Sequence, residues 1–293
     1  MVTAGAGPPA VWQPRPARLT AVCPYTAAVP PWEIASLLAL GLLAGAVGGL
    51  VGVGGSVVII PALTLLLHTN QHLSQAVAMI INVLIPASSL LQHHRADAVR
   101  WAVVGRMLPF GLLFIIVGVE LSNVLPSVIL MRLYGVFMIW VVVHNVMQIY
   151  EERGAANERP TNVSWPRVGV AGSLMGFAGG LLGIGGAPVA IPLLQSLNHL
   201  PLRQAIAATS AVMVITAGVG AAEKNLALGS ISPAAGGPLA VHDSLRLAAC
   251  LAPTAVIGAL LGATLTHVLP VRWVRVAFVL LMAWATVEML GLR

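Results

Sequence analysis

The sequence has very little charge of either sign. Only 8% of its 293 residues are Asp, Glu, Lys or Arg, whereas 58% are hydrophobic and the mean hydropathy is +0.92. Soluble domains carry roughly a quarter charged residues, so this composition excludes a soluble globular protein. Several apolar runs reach the length of about 20 residues that a membrane-crossing helix needs. Short alternating strands, typical of a membrane barrel, are lacking. The sequence therefore predicts an all-α integral membrane protein.

Lysine and cysteine are nearly absent. Lys224 is the only lysine, and arginine supplies most of the formal net charge of +6. The arginines lie at the ends of apolar runs, which is typical of charges that orient membrane helices and gives no support to a nucleic-acid-binding role. Cys23 and Cys250 lie in a Pro-rich segment and in a late apolar run. This separation predicts neither a disulfide framework nor a cysteine metal site, and no cofactor is expected.

Pro-rich and polar segments divide the chain into four parts. Residues 1–31 predict a flexible Pro-rich tail, because they lack the basic-then-apolar layout of a cleavable signal peptide. Residues 32–150 form a first transmembrane repeat, residues 151–166 a hydrophilic linker, and residues 167–293 a second transmembrane repeat. Each repeat is predicted to contain a glycine-interrupted apolar segment followed by three spans.

The interrupted segments are two copies of one glycine-rich pattern. Residues 45–63 and 176–194 are identical at 11 of 19 positions, at a constant offset of 131 residues. Because each glycine costs about 1 kcal/mol relative to alanine in a helix interior, both copies are expected to break a helix. Whether the two arms of each break both cross the membrane, or form a re-entrant hairpin, stays open.

The number of crossings decides how the repeats are related. Each repeat has three spans besides the broken segment. If both arms of the break cross the membrane, or neither does, the repeat therefore crosses it an odd number of times. The second repeat is then inverted relative to the first, a plan shared by many secondary transporters. A broken segment that crossed only once would instead make the repeats parallel.

Two matched breaks predict one shared site. Freed backbone groups in lipid cost several kcal/mol each, so a break is tolerated only inside protein or beside a water-filled cavity. Arms that start after Gly55 and Gly186 would point N–H groups and positive dipole ends at the site, which suits an anion. The alternative interpretation of the glycines is that they only let helices pack closely. Prolines at the same offset, Pro61 and Pro192, make the shared site the favoured interpretation.

These motifs resemble the TauE/SafE family of membrane transporters, which are described as sulfite or sulfonate exporters and more broadly as anion permeases. The resemblance rests on residues 48–55 with Pro61, on residues 179–186 with Pro192, and on a His-Arg-rich turn after the second span. It covers the chain from about residue 33. It implies a secondary transporter for sulfite, organosulfonates or related small anions in a bacterial inner membrane. Family members often carry a Thr-Ser pair after each motif; Thr209 and Ser210 match it, whereas two isoleucines stand in the first repeat.

Two sets of candidate residues follow. The residues predicted to bind substrate lie at the breaks and in the spans after them: Gly52, Gly54, Gly55, Ser56, Asn82, Gly183, Gly185, Gly186, Thr209 and Ser210. The residues predicted to attract or gate anions lie at span ends: His93, His94, Arg95, Lys224 and Asn225. For the second set, an ordinary interfacial charge pattern is the alternative.

A few other ionisable residues need an interpretation. His68 and His72 have a spacing that suits a metal, but no acid or thiol joins them, so no metal site is expected. Glu120 and Glu288 fall near span ends, where the side chain can reach the interface. His144 lies deeper in its span and is a candidate for proton coupling.

Two rival functions come from other classes. An intramembrane enzyme would need a motif such as His-Glu-x-x-His or paired aspartates within spans, and neither occurs, so the chain is not expected to be an enzyme. A non-transporting assembly or partner protein stays an alternative. The expected partners are a small anionic substrate and the lipid bilayer. A coupling proton or ion, and association into a homo-oligomer, are left open.

Overall fold

The computed structural model describes residues 31–67, 69–151, 163–231 and 239–265, and a few positions between 279 and 289. These residues are all helical or in turns, with no strand among them. Five of the helices are long and apolar enough to cross a membrane. The chain is therefore an all-α multi-pass membrane protein, as the composition predicts. The N-terminal tail, most of the linker, His68 and Glu288 lie outside the described residues.

The helices follow the same order in both halves of the chain. The first half contains α1 (Pro31–Val51), α2 (Ser56–Leu66), α3 (Gln71–Arg95), α4 (Trp101–Val124) and α5 (Ser127–Glu151). The second contains α6 (Trp165–Leu182), α7 (Ala187–Asn198), α8 (Leu202–Ala227) and α9 (Val241–Leu265). A glycine break separates α1 from α2 and α6 from α7, where the repeated motif predicts it.

The helices after the breaks are too short to cross a membrane. The 11 residues of α2 and the 12 residues of α7 are about 17 and 18 Å long, against about 30 Å of hydrocarbon. The chain also reverses at each break. A Cβ on Gly55 would lie 3.3 Å from the carbonyl oxygen of Ala44, and one on Gly186 would overlap the carbonyl oxygen of Met175. Each broken segment is therefore a helical hairpin with a short second arm.

The first helix of each half packs along the fourth helix of the other half. Small residues make this possible, because a glycine lets two backbones approach closely. In α1 the glycines face the backbone of α9, and in α6 the matching glycines face the backbone of α4. The two sets stand 131 residues apart: Gly41, Gly45 and Gly49 in α1, and Gly172, Gly176 and Gly180 in α6. The repeated glycines thus serve packing as well as the breaks.

The counterpart helices α3 and α8 pack against each other in the centre and are the most buried of the five candidate spans. His72 lies beside Lys224, whereas Val83, further along α3, lies beside Gly218. Residue numbers rise along one helix as they fall along the other, so α3 and α8 run antiparallel. Inversion of the complete halves stays a prediction, and it forms part of the function proposed below.

Candidate functional site

Each break is formed by glycines in a left-handed conformation. Positive φ angles between 71° and 76° occur at Gly52, Gly54, Gly183, Gly185 and Gly186. Glycine adopts these angles at little cost, whereas a side chain is strained there. Gly55 differs from its counterpart Gly186, because its φ of −81° is right-handed. The two breaks therefore share a sequence pattern but not every backbone angle.

The side chain of Asn82, on α3, joins the two breaks. Its Oδ1 accepts a hydrogen bond from the backbone N–H of Ser56 at 3.3 Å. Its Nδ2 donates to the carbonyl oxygen of Gly183 at 3.2 Å. One buried amide thus holds the start of α2 against the break before α7, and the predicted site residues of both repeats meet here.

The methyl group of Met213, on α8, fills the space between the same two breaks. A Cβ on Gly54 would lie 2.5 Å from Met213 Cε, and one on Gly185 would overlap this methyl group. Met213 is fully buried. The side chain therefore separates the two breaks at the point where they approach each other.

The tip of each hairpin reaches the opposite half. Gly52 packs against Ile206, near the start of α8, and Gly183 packs against Gln75, near the start of α3. Both tips thus extend past the centre marked by Asn82 and Met213. Each break is lined by residues of both halves, as a shared site requires.

Two buried hydroxyl groups in this region lack a hydrogen-bond partner among the described residues. They are Ser56 Oγ, in the first turn of α2, and Thr209 Oγ1, on α8. Thr209 lies three residues after Ile206 and four before Met213, so it shares their face of α8. Ser210 is also buried. A buried polar group without a partner costs about 1–3 kcal/mol, so these hydroxyls are suited to bind a ligand.

The polarity of the site comes from uncharged groups. The short helices α2 and α7 both begin at the breaks, at Gly55 and Gly186, and neither has a side-chain cap. Their first N–H groups lack intrahelical acceptors and carry the positive end of the helix dipole. Asn82 already accepts the first N–H of α2, and Pro188 removes one donor from α7. Each short helix therefore keeps only part of its N-terminal donor set.

The residues predicted to gate anions do not form one cluster. His93, His94 and Arg95 end α3, and the ring of His94 packs edge-on against Trp101 with 6.0 Å between centroids. Lys224 lies near the C-terminal end of α8, which is the opposite end of the bundle because α3 and α8 are antiparallel. His94 and Arg95 are exposed, so this end of α3 presents the Arg95 guanidinium at the surface, whereas the ammonium of Lys224 is buried.

Lys224 is fully buried. Its Nζ donates hydrogen bonds to Ser122 Oγ at 2.8 Å and to Asn123 Oδ1 at 2.9 Å, and lies 3.0 Å from His72 Nδ1. The neighbouring Asn225 bonds to Ala221 of its own helix at 2.7 Å. Sequence reasoning missed Ser122 and Asn123. The signal that singles out Lys224 is its position as the only lysine, within an apolar run.

The other ionisable candidates make contacts away from the breaks. His72 pairs with Lys224, and the described residues contain no group of three His, Cys, Asp or Glu side chains that suits a metal ion. His144 stacks on Trp140 with 5.4 Å between ring centroids. Glu120 is exposed and hydrogen-bonds Glu223. None of these contacts involves the residues of the breaks.

Comparison with known proteins identifies relatives among membrane transporters. The family model described as "Sulfite exporter TauE/SafE" matches residues 37–289. The chain is 25% identical over 292 residues to the probable membrane transporter protein MamO of Magnetospirillum gryphiswaldense. It is 26% identical over 288 residues to the protein of the same description in Paramagnetospirillum magneticum. These matches cover 88% of this chain but only 45% and 44% of the relatives. The chain thus spans less than half their length. No solved structure matches.

Proposed function

The chain belongs to the sulfite exporter TauE/SafE family, and we propose that it is a secondary transporter of small anions in a bacterial inner membrane. Sulfite and organosulfonates are the proposed substrate class. The substrate binds between the two glycine breaks, where Asn82 and Met213 lie. The observation that supports this site is the pair of buried, unpartnered hydroxyls, Ser56 Oγ and Thr209 Oγ1, at the place where both halves contribute backbone.

The chemistry of the site favours a small anion over a cation. The groups available to a ligand there are hydroxyls and the N-terminal N–H groups that Asn82 and Pro188 leave in α2 and α7. These groups are donors near positive dipole ends. A sulfonate or sulfite ion offers three oxygens that accept such bonds. Larger anions would meet the side chain of Met213, so the site favours compact head groups.

Alternating access is the proposed mechanism. The two hairpins, and the antiparallel packing of α3 against α8, support inverted halves that approach the site from opposite sides of the membrane. Rocking of one half against the other would open the breaks to one side at a time. Met213 and Asn82 would move with α8 and α3, so the contacts between the breaks would change during each cycle.

Removal of one hydroxyl tests the site. Thr209→Val deletes an oxygen that makes no hydrogen bond within the described residues, so we expect folding to persist while anion binding weakens by about 1 kcal/mol, or roughly fivefold. The matched control is Thr216→Val on the same helix, whose hydroxyl bonds to the carbonyl of Val212 at 3.1 Å. This control should bind as the parent protein does.

The measurements are ligand-induced thermal stabilisation of the purified protein and uptake of labelled anion by proteoliposomes. The panel contains sulfite, short alkylsulfonates and small carboxylates. An equal loss of anion affinity in both variants, or no loss of affinity in Thr209→Val, would refute the proposed site. No flux and no stabilisation by any anion would refute the transporter and favour a partner protein.

A further inference from the structure

The buried environment of Lys224 is a second polar centre, away from the breaks. It lies where the C-terminal ends of α4 and α8 meet the start of α3. Lys224 Nζ has three acceptors within 3.0 Å, from His72, Ser122 and Asn123. The role of this cluster is separate from anion binding and rests on the proposed transport function.

The number of acceptors matches one protonation state of the lysine. A lysine ammonium has three N–H donors and no acceptor. Its three partners are a ring nitrogen, a hydroxyl and an amide oxygen, so each N–H has one acceptor. A neutral amine has two N–H groups and one lone pair, so it can keep all three partners only while His72 Nδ1 carries a proton and donates it to the amine. Once that proton has left His72, at least one bond between Lys224 and its neighbours is lost.

A chain of hydrogen bonds connects this cluster to the second hairpin. Ser122 Oγ, which accepts from Lys224, donates to Gln75 Oε1 at 2.9 Å. Gln75 Nε2 then donates to the carbonyl oxygen of Leu181 at 3.2 Å, and its side chain packs against Gly183 at the hairpin tip. A change at Lys224 is thus only two side chains away from the break before α7.

We propose that Lys224 binds the proton that is coupled to anion transport, and that its release loosens the tip of the second hairpin. The proton passes from Lys224 Nζ to His72 Nδ1, 3.0 Å away. One N–H bond breaks, another forms, and the positive charge moves to the imidazole. Water takes the proton from His72 when this end of the bundle opens.

Several other titratable groups lie on the elements packed around this cluster. Glu120 of α4 interacts electrostatically with Lys224 and hydrogen-bonds Glu223, the residue before Lys224 on α8. The start of α9, which contacts Asn225 through Ser244, carries His242, Asp243 and Arg246. The charge of Glu120 offsets that of the ammonium. Variants at these positions must be compared with Lys224 variants in any pH study.

The first test reads the proton on Lys224 directly and needs no transport. Because Lys224 is the only lysine, protein labelled with ε-¹⁵N-lysine in nanodiscs gives one side-chain nitrogen resonance. We expect this resonance to move between the ammonium and amine positions across the pH range in which the protein stays folded. A resonance that remains at the ammonium position over that range would overturn the proposal.

The second test measures whether proton movement accompanies sulfonate transport. An alkylsulfonate stays ionised at neutral pH, so proton movement that accompanies its flux is carried by the protein. The assay uses proteoliposomes that contain a pH-sensitive dye. We expect sulfonate flux through the parent protein to change the internal pH. In Lys224→Arg the guanidinium stays protonated, so we expect the pH change per sulfonate moved to be at least tenfold smaller. An unchanged ratio in Lys224→Arg would overturn the proposal. If Lys224→Arg moves no sulfonate, the resonance test decides.

The chain of hydrogen bonds from Lys224 through Ser122 and Gln75 to Leu181, called the relay here, is tested by its own matched pair of variants. Gln75→Leu cuts the connection between Ser122 and Leu181. Gln204→Leu changes the glutamine near the start of α8 that opens the similar sequence Gln204-Ala-Ile-Ala, and Gln204 takes no part in this chain of hydrogen bonds. We expect Gln75→Leu to lower the ratio of protons to sulfonate and Gln204→Leu to leave it close to that of the parent. Equal ratios in both would show that the relay does not carry the coupling. Absence of sulfonate flux in the parent, together with a titrating lysine, would refute transport but not proton binding.

Discussion

The same substitution at Gly55 and Gly186 should have very different effects, although the two residues occupy matching places in the repeated motif. Gly186 has a φ of 76°, and a Cβ there would overlap the carbonyl oxygen of Met175. Gly55 has a φ of −81°, and a Cβ there would lie 2.5 Å from Cδ1 of Ile85, the end of a flexible side chain. The obstacle is therefore backbone in one repeat and a movable methyl in the other.

These contacts set the expected energies. In Gly186→Ala, the left-handed backbone costs about 1–2 kcal/mol, and displacement of the Met175 backbone adds about 1–3 kcal/mol. In Gly55→Ala, a changed Ile85 rotamer costs about 0.5–1.5 kcal/mol. A less flexible unfolded chain returns about 0.4–1 kcal/mol of this. The expected loss is thus about 1–5 kcal/mol for Gly186→Ala and about 0–1 kcal/mol for Gly55→Ala.

Thermal unfolding of the two purified variants in the same detergent is the measurement. For chains of 150–250 residues, 1 kcal/mol corresponds to about 2–4 °C. This chain has 293 residues and lies at the lower end of that range, so Gly186→Ala should lower Tm by about 2–10 °C and Gly55→Ala by less than about 2 °C. Equal shifts, or a larger shift for Gly55→Ala, would refute the assignment of different backbone conformations to the two breaks. Membrane insertion of both variants, checked by fractionation, is the control.

Two further predictions concern the residues between the breaks. Asn82→Ala should lower the free energy of unfolding by about 2–5 kcal/mol, because the buried Ser56 N–H and Gly183 carbonyl lose their partner. Thermal unfolding measures this loss. The control is Ser89→Ala on the same helix, which should have little effect on the free energy of unfolding. Met213→Ala should raise uncoupled leak of sulfonate through proteoliposomes several-fold, because it removes the methyl group between Gly54 and Gly185. An unchanged leak in a folded Met213→Ala protein would show that the side chain does not close the path.

Much of the candidate site could be predicted because glycine acts locally. The repeated motif in residues 45–63 and 176–194 marks both helix breaks, since glycine is costly in a helix interior and permits positive φ. Asn82 and Thr209 could be singled out as polar residues in apolar spans. Their role in binding an anion is a proposal that the variants above test.

The composition alone determined that the chain is an all-α membrane protein, because 58% hydrophobic and 8% charged residues cannot form a soluble surface. The glycine repeat alone determined where the helices break, because that cost depends on neighbouring residues in the chain. Only the tertiary structure decided which groups meet at the breaks. Asn82 bonds to Gly183, 101 residues away, and Lys224 meets His72, 152 residues away. Such contacts depend on how α3 and α8 pack, which no local pattern specifies. The different φ angles of Gly55 and Gly186 have the same origin, since identical residues take the conformation that their packed neighbours permit.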